Sequence, residues 1–278
     1  ELCPYGELYN YLKDYSIPFN WNQKIKISHD IATGIRYLQQ HVPPIAHLDL
    51  KSPNILLKSL NPADAKIADF GTAQFVSAPI RMRKVDNPIW MAPEIIEGLP
   101  YDHRADTYSV GIIFWEMLTR KTVFSHVQYA SDIEHMISCG RRPEIPKNIC
   151  PPLYETLIHS LWHQDPDQRP QMDEVIRSLN GVEKQLSQSD YDLRNEEYQF
   201  MLKNNISESS RPTTPKGSNS KSSRRRAKGT ESPTTARRKR KSQRRSHSED
   251  FCSSKPREAL SPKQKTSING SGSTGSTS

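Results

Sequence analysis

Eight residues, His47 to Asn54, constrain this chain more than any other stretch of it. They read His-Leu-Asp-Leu-Lys-Ser-Pro-Asn and bring an imidazole, a carboxylate, an ammonium and a carboxamide together. The apolar run Ile55–Leu57 follows directly, and Asp69-Phe70-Gly71 comes fifteen residues after Asn54, behind a second short apolar run. The pattern predicts a polar loop that leads into a strand, and a second strand that ends in Asp-Phe-Gly.

The order and spacing of these residues resemble the His-Arg-Asp-Leu-x-x-x-Asn and Asp-Phe-Gly motifs of protein kinases. Only Leu48 departs from the pattern within the 25 residues that end at Gly71. Taken singly, Asp49 and Asn54 are common turn formers and Asp69 is an ordinary loop carboxylate. Their occurrence together, in this order, favours the kinase interpretation.

The resemblance implies transfer of the γ-phosphoryl group of ATP, a reaction in which the protein mainly positions groups and neutralises charge. Asp49 would accept the hydroxyl proton of a protein substrate, and Lys51 would place an ammonium beside the γ-phosphate. Asn54 and Asp69 would give oxygen ligands to Mg²⁺, a hard cation that keeps several waters. ATP and Mg²⁺ are therefore the expected cofactors.

The first residues, Glu1–Leu8, read as an extended connector into a short helix that ends near Asp14, and they resemble the kinase hinge. An arbitrary chain terminus is the alternative interpretation. The adenosine contacts that the resemblance implies are the backbone groups of Glu1 and Cys3, the side chain of Leu56 under the base, and Glu7 facing the ribose.

Helical periodicity dominates the chain from about Asn20, which can cap a helix that runs to Gln40. Short strands are expected at Ile55–Lys58 and Lys66–Ala68. Further helices are predicted at about 104–118, 129–139, 152–162, 171–186 and 189–202. With the resemblance, this indicates an α+β protein kinase-like fold of which the mainly α-helical C-lobe is present.

Two further roles follow from the resemblance. Residues 69–94 form a loop that ends in Ala-Pro-Glu, and the family pairs this Glu94 with a late arginine, a place that Arg169 fits. Asp106 matches the kinase aspartate that accepts backbone N–H groups of the catalytic loop. The alternative for Asp106 is a simple preference for the positive end of a helix.

Lys51 within Asp-Leu-Lys-Ser-Pro-Asn is the serine/threonine-type signature. Residues 90–94 and 106–109 are similar to the tyrosine-kinase-like group. Within that group, residues 51–55, 65–71 and 105–109 resemble the Roco, or leucine-rich-repeat-kinase-like, branch.

Three departures from the family pattern bear on activity. The chain starts at the hinge with Glu rather than Met, so the glycine-rich loop and strand lysine are absent, and a fragment that is inactive alone is expected. Leu48 replaces the arginine that would bind an activation-loop phosphate, and Asn87 stands where a threonine is usual. Because of these replacements, the alternative to an active kinase is a pseudokinase that acts as a binding module.

Charge divides the chain into two parts. Residues 1–202 hold 20 Lys and Arg against 26 Asp and Glu, whereas residues 203–278 hold 19 against 5. The second part has almost no apolar residues beyond Ser207, and such a composition predicts disorder. The expected organisation is a kinase domain at 1–186, an extra helix at 187–202 and a disordered basic tail at 203–278.

Dense cation clusters at 224–226 and 237–241 suggest partners for the tail. A nuclear-import receptor, a polyanion such as nucleic acid, and an anionic membrane all fit, and so does a merely solvated run. Proline-directed acceptors lie in the same tail, and their phosphorylation would reduce its positive charge. They are Thr214, Ser232 and Ser261.

The four cysteines lie far apart without a Cys-x-x-Cys pair, which predicts neither a zinc site nor a disulfide framework. A reducing, intracellular setting is therefore expected. No apolar run approaches the ~18 residues of a membrane span, and no signal peptide opens the chain. The prediction is a cytoplasmic protein with access to the nucleus through the tail.

Overall fold

The computed structural model describes residues 1–81, 87–187 and 191–204. Eight α-helices and four β-strands lie in these ranges. The helices are α1 (Leu8–Lys13), α2 (Trp21–Gln39), α3 (Pro93–Ile96), α4 (Arg104–Thr119), α5 (Ala130–Ser138), α6 (Pro152–Leu161), α7 (Met172–Leu186) and α8 (Tyr191–Lys203). The strands are β1 (Ile45–Ala46), β2 (Ile55–Leu60), β3 (Ala63–Ile67) and β4 (Gln74–Phe75).

Helix α2 forms where the sequence predicts it, because its first residues satisfy each other's backbone groups. The Asn20 side chain accepts from the Gln23 amide at 2.9 Å, and the Gln23 side chain accepts from the Asn20 amide at 3.1 Å. This reciprocal arrangement is a capping box. The isoleucine stripe at every fourth position is buried, which confirms the amphipathic pattern.

Strands β2 and β3 form an antiparallel hairpin, and both are longer than predicted. Ile55 pairs with Ile67 and Leu57 with Ala65, and the register shifts between Leu57 and Ser59. The additional residues lie next to the polar turn. Because these ends of the strands are short and contain polar residues, the alternation of apolar and polar residues that predicts a strand is weak there. Strands β1 and β4 form a second antiparallel pair.

Helix α4 is the centre of the core. All of its residues from Ala105 to Thr119 are buried, so it has no solvent face. At Gly111 an added Cβ would lie 2.9 Å from the Cβ of Leu161 in α6. A side chain at this position would therefore push α4 and α6 apart.

The predicted extra helix at 189–202 is observed as α8. Within the described ranges, no helix is long and apolar enough to cross a membrane. The prediction of a disordered tail concerns residues that, from 205 onward, lie outside those that the structure describes.

Candidate active site

A carboxylate of α4 holds the loop that follows β1. The two carboxylate oxygens of Asp106 accept the backbone N–H groups of His47 at 2.7 Å and of Leu48 at 2.9 Å. Asp106 is 1% exposed, so these bonds lie in the protein interior. The role that the family resemblance implied for Asp106 is thus confirmed, and the alternative of a plain helix-end preference does not account for two specific donors.

Leu48 adopts a left-handed backbone conformation, with φ of 63°. A leucine rarely takes this conformation, which costs roughly 1–3 kcal/mol. The Asp106 bond to the Leu48 amide helps to hold it. Strain of this kind at a loop that gathers polar side chains is typical of functional sites.

His47 connects this loop to the Asp-Phe-Gly segment. Its Nδ1 accepts from the Asp49 amide at 3.3 Å and its Nε2 lies 3.0 Å from the carbonyl of Ala68. In this arrangement Nδ1 is the acceptor, and Nε2 is placed to donate to the carbonyl. The ring centroid lies 4.9 Å from that of Phe70, and the Thr72 hydroxyl donates to the His47 carbonyl at 2.9 Å.

Two of the predicted site residues converge on the carboxylate of a third, Asp49. Lys51 Nζ lies 3.1 and 3.0 Å from the two oxygens of Asp49. Asn54 Nδ2 donates to the Asp49 carbonyl at 2.8 Å and to its Oδ2 at 3.2 Å. The carboxylate is thereby fixed in position beside a cation, partly shielded from solvent.

The hairpin brings the two predicted metal ligands to one end. Asn54 precedes β2, Asp69 follows β3, and the Ala68 amide donates to the Asn54 carbonyl at 2.9 Å. Asp69 is also left-handed, with φ of 63°, and its Oδ1 accepts from the Gly71 amide at 3.4 Å. The side-chain nitrogen of Asn54 is engaged by Asp49. The side-chain oxygen of Asn54, Oδ1, is therefore the atom that can bind a cation.

These oxygens fit Mg²⁺. An amide and a carboxylate are hard ligands, and Mg²⁺ binds through few protein groups together with phosphates and water. The described ranges contain no group of three or more His, Cys, Asp or Glu side chains placed to bind a metal. An amide and a carboxylate alone would leave the other positions around such an ion to phosphate oxygens and water.

The predicted hinge lies along β2. The Tyr5 amide donates to the Leu57 carbonyl at 3.2 Å, and the Leu57 amide donates to the Gly6 carbonyl at 2.8 Å. Glu7 forms a β-bridge with Leu56, so these two predicted nucleotide contacts are neighbours. The carboxylate of Glu1 pairs with Lys58 at 2.5 Å, and Cys3 is half-buried on the same connector.

Asn87 lies beside the predicted catalytic residues. It lines a small cavity of about 30 Å³ together with Leu48, Asp49 and Lys51. Its Oδ1 accepts from the Ile89 amide at 3.2 Å and caps the 3₁₀ turn at Pro88–Trp90. The amide that replaces the usual threonine thus orders the end of the activation loop next to the site.

Glu116, which no sequence motif singled out, fastens the same segment to α4. Glu116 Oε2 accepts from the Trp90 indole at 2.8 Å, and the Ser109 hydroxyl donates to the Trp90 carbonyl at 2.7 Å. Burial raises the pKa of Glu116 to about 7, although the Trp90 bond acts in the opposite direction. A carboxylate within an otherwise apolar helix was the available sequence signal.

A family comparison agrees with this geometry. The family model described as protein tyrosine and serine/threonine kinase matches residues 1–179. The chain therefore belongs to the protein kinase family.

Individual relatives point to one part of this family. The chain is 39% identical over 194 residues to cyclic GMP-binding protein C of Dictyostelium discoideum. This match covers 67% of the chain and 7% of that protein. It is 41% identical over 180 residues to the probable serine/threonine-protein kinase roco5 of the same organism. That match covers 61% of the chain and 6% of roco5. Similarity to roco5 and to the further probable kinases roco9 and roco8 confirms the Roco-like resemblance.

A plant relative is matched over a larger share of its length. The chain is 36% identical over 189 residues to serine/threonine-protein kinase STY46 of Arabidopsis thaliana. This match covers 68% of the chain and 32% of that protein. The chain thus spans only a small part of the Dictyostelium relatives and about a third of the plant one.

Proposed function

We propose that this chain is part of a serine/threonine protein kinase of the tyrosine-kinase-like group, which transfers the γ-phosphoryl of Mg-ATP to proteins in signal transduction. The observation that carries the proposal is the convergence of Lys51 and Asn54 on the carboxylate of Asp49. A scaffold has no need for this arrangement beside an intact Asp-Phe-Gly.

In the proposed reaction, Asp49 accepts the proton of the substrate hydroxyl and orients its oxygen toward the phosphorus atom. Asn54 holds the Asp49 carboxylate in place through its amide nitrogen. Lys51 keeps its ammonium next to the same carboxylate, where it neutralises charge on the transferred group. Positioning of this kind is the main contribution of a protein to phosphoryl transfer.

The cofactor contacts are proposed for the residues named from the sequence. Asn54 and Asp69 supply the oxygen ligands of Mg²⁺, which neutralises the phosphate charge when bound. The connector at Glu1 and Cys3 offers backbone groups to adenine. The neighbouring Leu56 and Glu7 flank the base and the ribose.

The chain is proposed to represent the hinge and C-lobe of a kinase domain at 1–186. Half of an ATP cradle belongs to the N-lobe, with its glycine-rich loop and strand lysine. We therefore expect no turnover from the chain by itself. Activity is to be measured in a completed domain in which these elements are supplied upstream of Glu1.

In that completed domain, Asp49→Asn is expected to lower kcat by about 10²–10⁴ while Mg-ATP affinity stays nearly unchanged. Asp69→Ala is expected to abolish Mg²⁺-dependent nucleotide binding, measured by titration. Asp132→Asn, in the exposed first turn of α5, is the matched control and keeps full rate and affinity. An Asp49→Asn protein with full activity would refute the enzymatic proposal.

A pseudokinase that acts as a binding module is the alternative. It draws on Leu48, which cannot pair with a phosphate, and on Asn87 at the end of the activation loop. This alternative predicts a completed domain with no measurable transfer for wild type and Asp49→Asn alike.

The proposal extends to the basic tail and to location. We propose a cytoplasmic protein that reaches the nucleus, or binds a polyanion or an anionic membrane, through the cation clusters of residues 224–226 and 237–241. Replacing the second cluster with Ser and Gly is expected to weaken nuclear accumulation or heparin binding. If neither changes, the cluster is a solvated run.

A further inference from the structure

Helix α8 begins after the segment that the kinase family model covers, yet one of its faces is buried. Asn195, Tyr198 and Met201 are 4%, 2% and 7% exposed. They recur at three-residue steps and so form one stripe of the helix. Phe200, on another face, is 62% exposed. The stripe therefore packs on the kinase domain as an integral element of it.

The first contact of α8 is with a buried cation. Lys24 is 0% exposed, and its Nζ donates to Asn195 Oδ1 at 2.7 Å. Asn195 Nδ2 in turn donates to the carbonyl of Phe19 at 3.0 Å. A buried ammonium requires hydrogen-bond partners, and Asn195 supplies one of them. Since Lys24 lies near the start of α2, this contact connects α8 to that helix.

The second contact is with Arg120, which ends α4 in a left-handed conformation and is 1% exposed. Gln199 Oε1 accepts from Arg120 Nη1 at 2.9 Å. The Tyr198 hydroxyl donates to the neighbouring Thr119 carbonyl at 3.2 Å. Helix α8 therefore holds both the side chain of Arg120 and the backbone just before it.

Arg120 in turn holds the end of α1. Its guanidinium donates to carbonyl oxygens at and just beyond the C-terminus of that helix, where backbone acceptors have no intrahelical partner. These are the carbonyls of Tyr11, Leu12, Asp14 and Ile17, at 3.0, 3.0, 2.5 and 2.8 Å. Helix α1 starts at Leu8, directly after Glu7 and the connector along β2.

We propose that α8 is a latch: docked on Lys24 and Arg120, it fixes α1 and thereby the connector that precedes it. Displacement of α8 would release Arg120 from one partner and loosen the end of α1. The link from α1 to nucleotide affinity rests on the proposed function, whereas the link from α8 to α1 does not.

The test is hydrogen–deuterium exchange on the full 278-residue chain. Gln199→Ala removes the bond to Arg120, and loss of a hydrogen bond to a charged group is expected to raise exchange in α1 about tenfold. Glu196→Ala, on the exposed face of α8, is the matched control and leaves α1 unchanged. Exchange in α5, which packs on α3 and on the turn at Pro88–Trp90, serves as the internal reference.

Gln199→Glu provides the conservative rescue. Gln199 Nε2 is buried without a hydrogen-bond partner among the described residues, and glutamate lacks this donor while it keeps an acceptor for Arg120. Protection of α1 is therefore expected to equal or exceed that of wild type. Unchanged α1 exchange in Gln199→Ala, with α8 itself loosened, would overturn the latch.

The experiment also separates the latch from the proposed function. Asn195→Ala, a second route to undocking, is expected to raise exchange in α1 as Gln199→Ala does, and protection of α1 in both variants would overturn the latch. Adding Mg-ATP to the wild-type completed domain, which includes the N-lobe half of the ATP cradle, probes the nucleotide site alone. If α1 responds to the variants but no segment responds to Mg-ATP, the latch stands and the proposed nucleotide site falls.

Discussion

The guanidinium of Arg169 binds both carboxylate oxygens of Glu94, with nitrogen–oxygen distances of 2.6 and 2.7 Å. The side chains are 0% and 6% exposed. Arg169 also donates to the carbonyl of Arg104 at 3.0 Å, at the start of α4. The pair that the family resemblance implied is therefore confirmed, and it fastens the end of the activation loop to the core helix.

Removing one partner of this pair should destabilise the domain strongly. Arg169→Ala leaves the Glu94 carboxylate buried without its cation, which typically costs about 3–5 kcal/mol. Arg177→Ala is the control, because that side chain is 69% exposed and lies 3.9 Å from its carboxylate partner. Urea unfolding measures both variants. A loss below about 1 kcal/mol for Arg169→Ala would contradict this view of the pair.

Asp106→Asn should disturb the loop above it without changing the size of the side chain. One carboxylate oxygen becomes an NH₂ group that faces the amide of His47 or Leu48, so one bond is lost and two donors meet. Leaving a buried donor unpaired costs about 1–3 kcal/mol. We expect at least a tenfold lower kcat in the completed domain and faster amide exchange at both residues. Wild-type values for both would show that Asp106 does not position the loop.

Stability should depend on pH through Glu116. Its pKa is about 7 in the folded protein against an ordinary value of 4.5, so the folded state binds the proton more tightly than the unfolded state. The resulting stabilisation is complete below pH 4.5 and is lost as the pH rises through 7. The full span is on the order of 3 kcal/mol.

Glu116→Gln tests this dependence, because glutamine keeps an acceptor for the Trp90 indole but does not ionise. Between pH 5 and pH 8 the free energy of unfolding of wild type should fall relative to that of the variant. Glu155→Gln, at an exposed position of α6, should follow wild type. Parallel profiles for wild type and Glu116→Gln would rule out titration of Glu116 in this range.

Activity should not require phosphorylation of the activation loop. Leu48 offers no partner for a phosphate, and Thr72 and Ser77 are the only hydroxyl residues from 69 to 94. In a phosphatase-treated completed domain, Ser77→Ala is expected to keep full activity on a generic basic protein. Loss of activity, restored by Ser77→Asp, would contradict the prediction. Residues 82–86 of this loop lie outside the described ranges.

Thr72 needs a different control, because its hydroxyl donates to the His47 carbonyl. Thr72→Ala should lower activity by loosening this contact, and Thr72→Ser should restore it. Failure of the serine variant, together with rescue by Thr72→Asp, would instead indicate phosphorylation.

The sequence by itself determined the elements whose signals are local. The stretch from His47 to Asn54, with Asp69 fifteen residues later, was sufficient to predict the loop, the two strands and the family. The isoleucine period and the Asn20 cap were sufficient for α2. In each case the relevant residues are neighbours in sequence, so spacing alone carries the information.

Only the tertiary structure decided which distant groups meet. Glu116 binds Trp90 across 26 residues, and Lys24 binds Asn195 across 171. No periodicity records such pairs, because each partner is chosen by the packing of whole helices against one another. The left-handed backbone of Leu48 is likewise fixed from outside, by a carboxylate 58 residues away. Local patterns thus specify the helices and the loop, whereas burial in the assembled core specifies which polar groups must be paired.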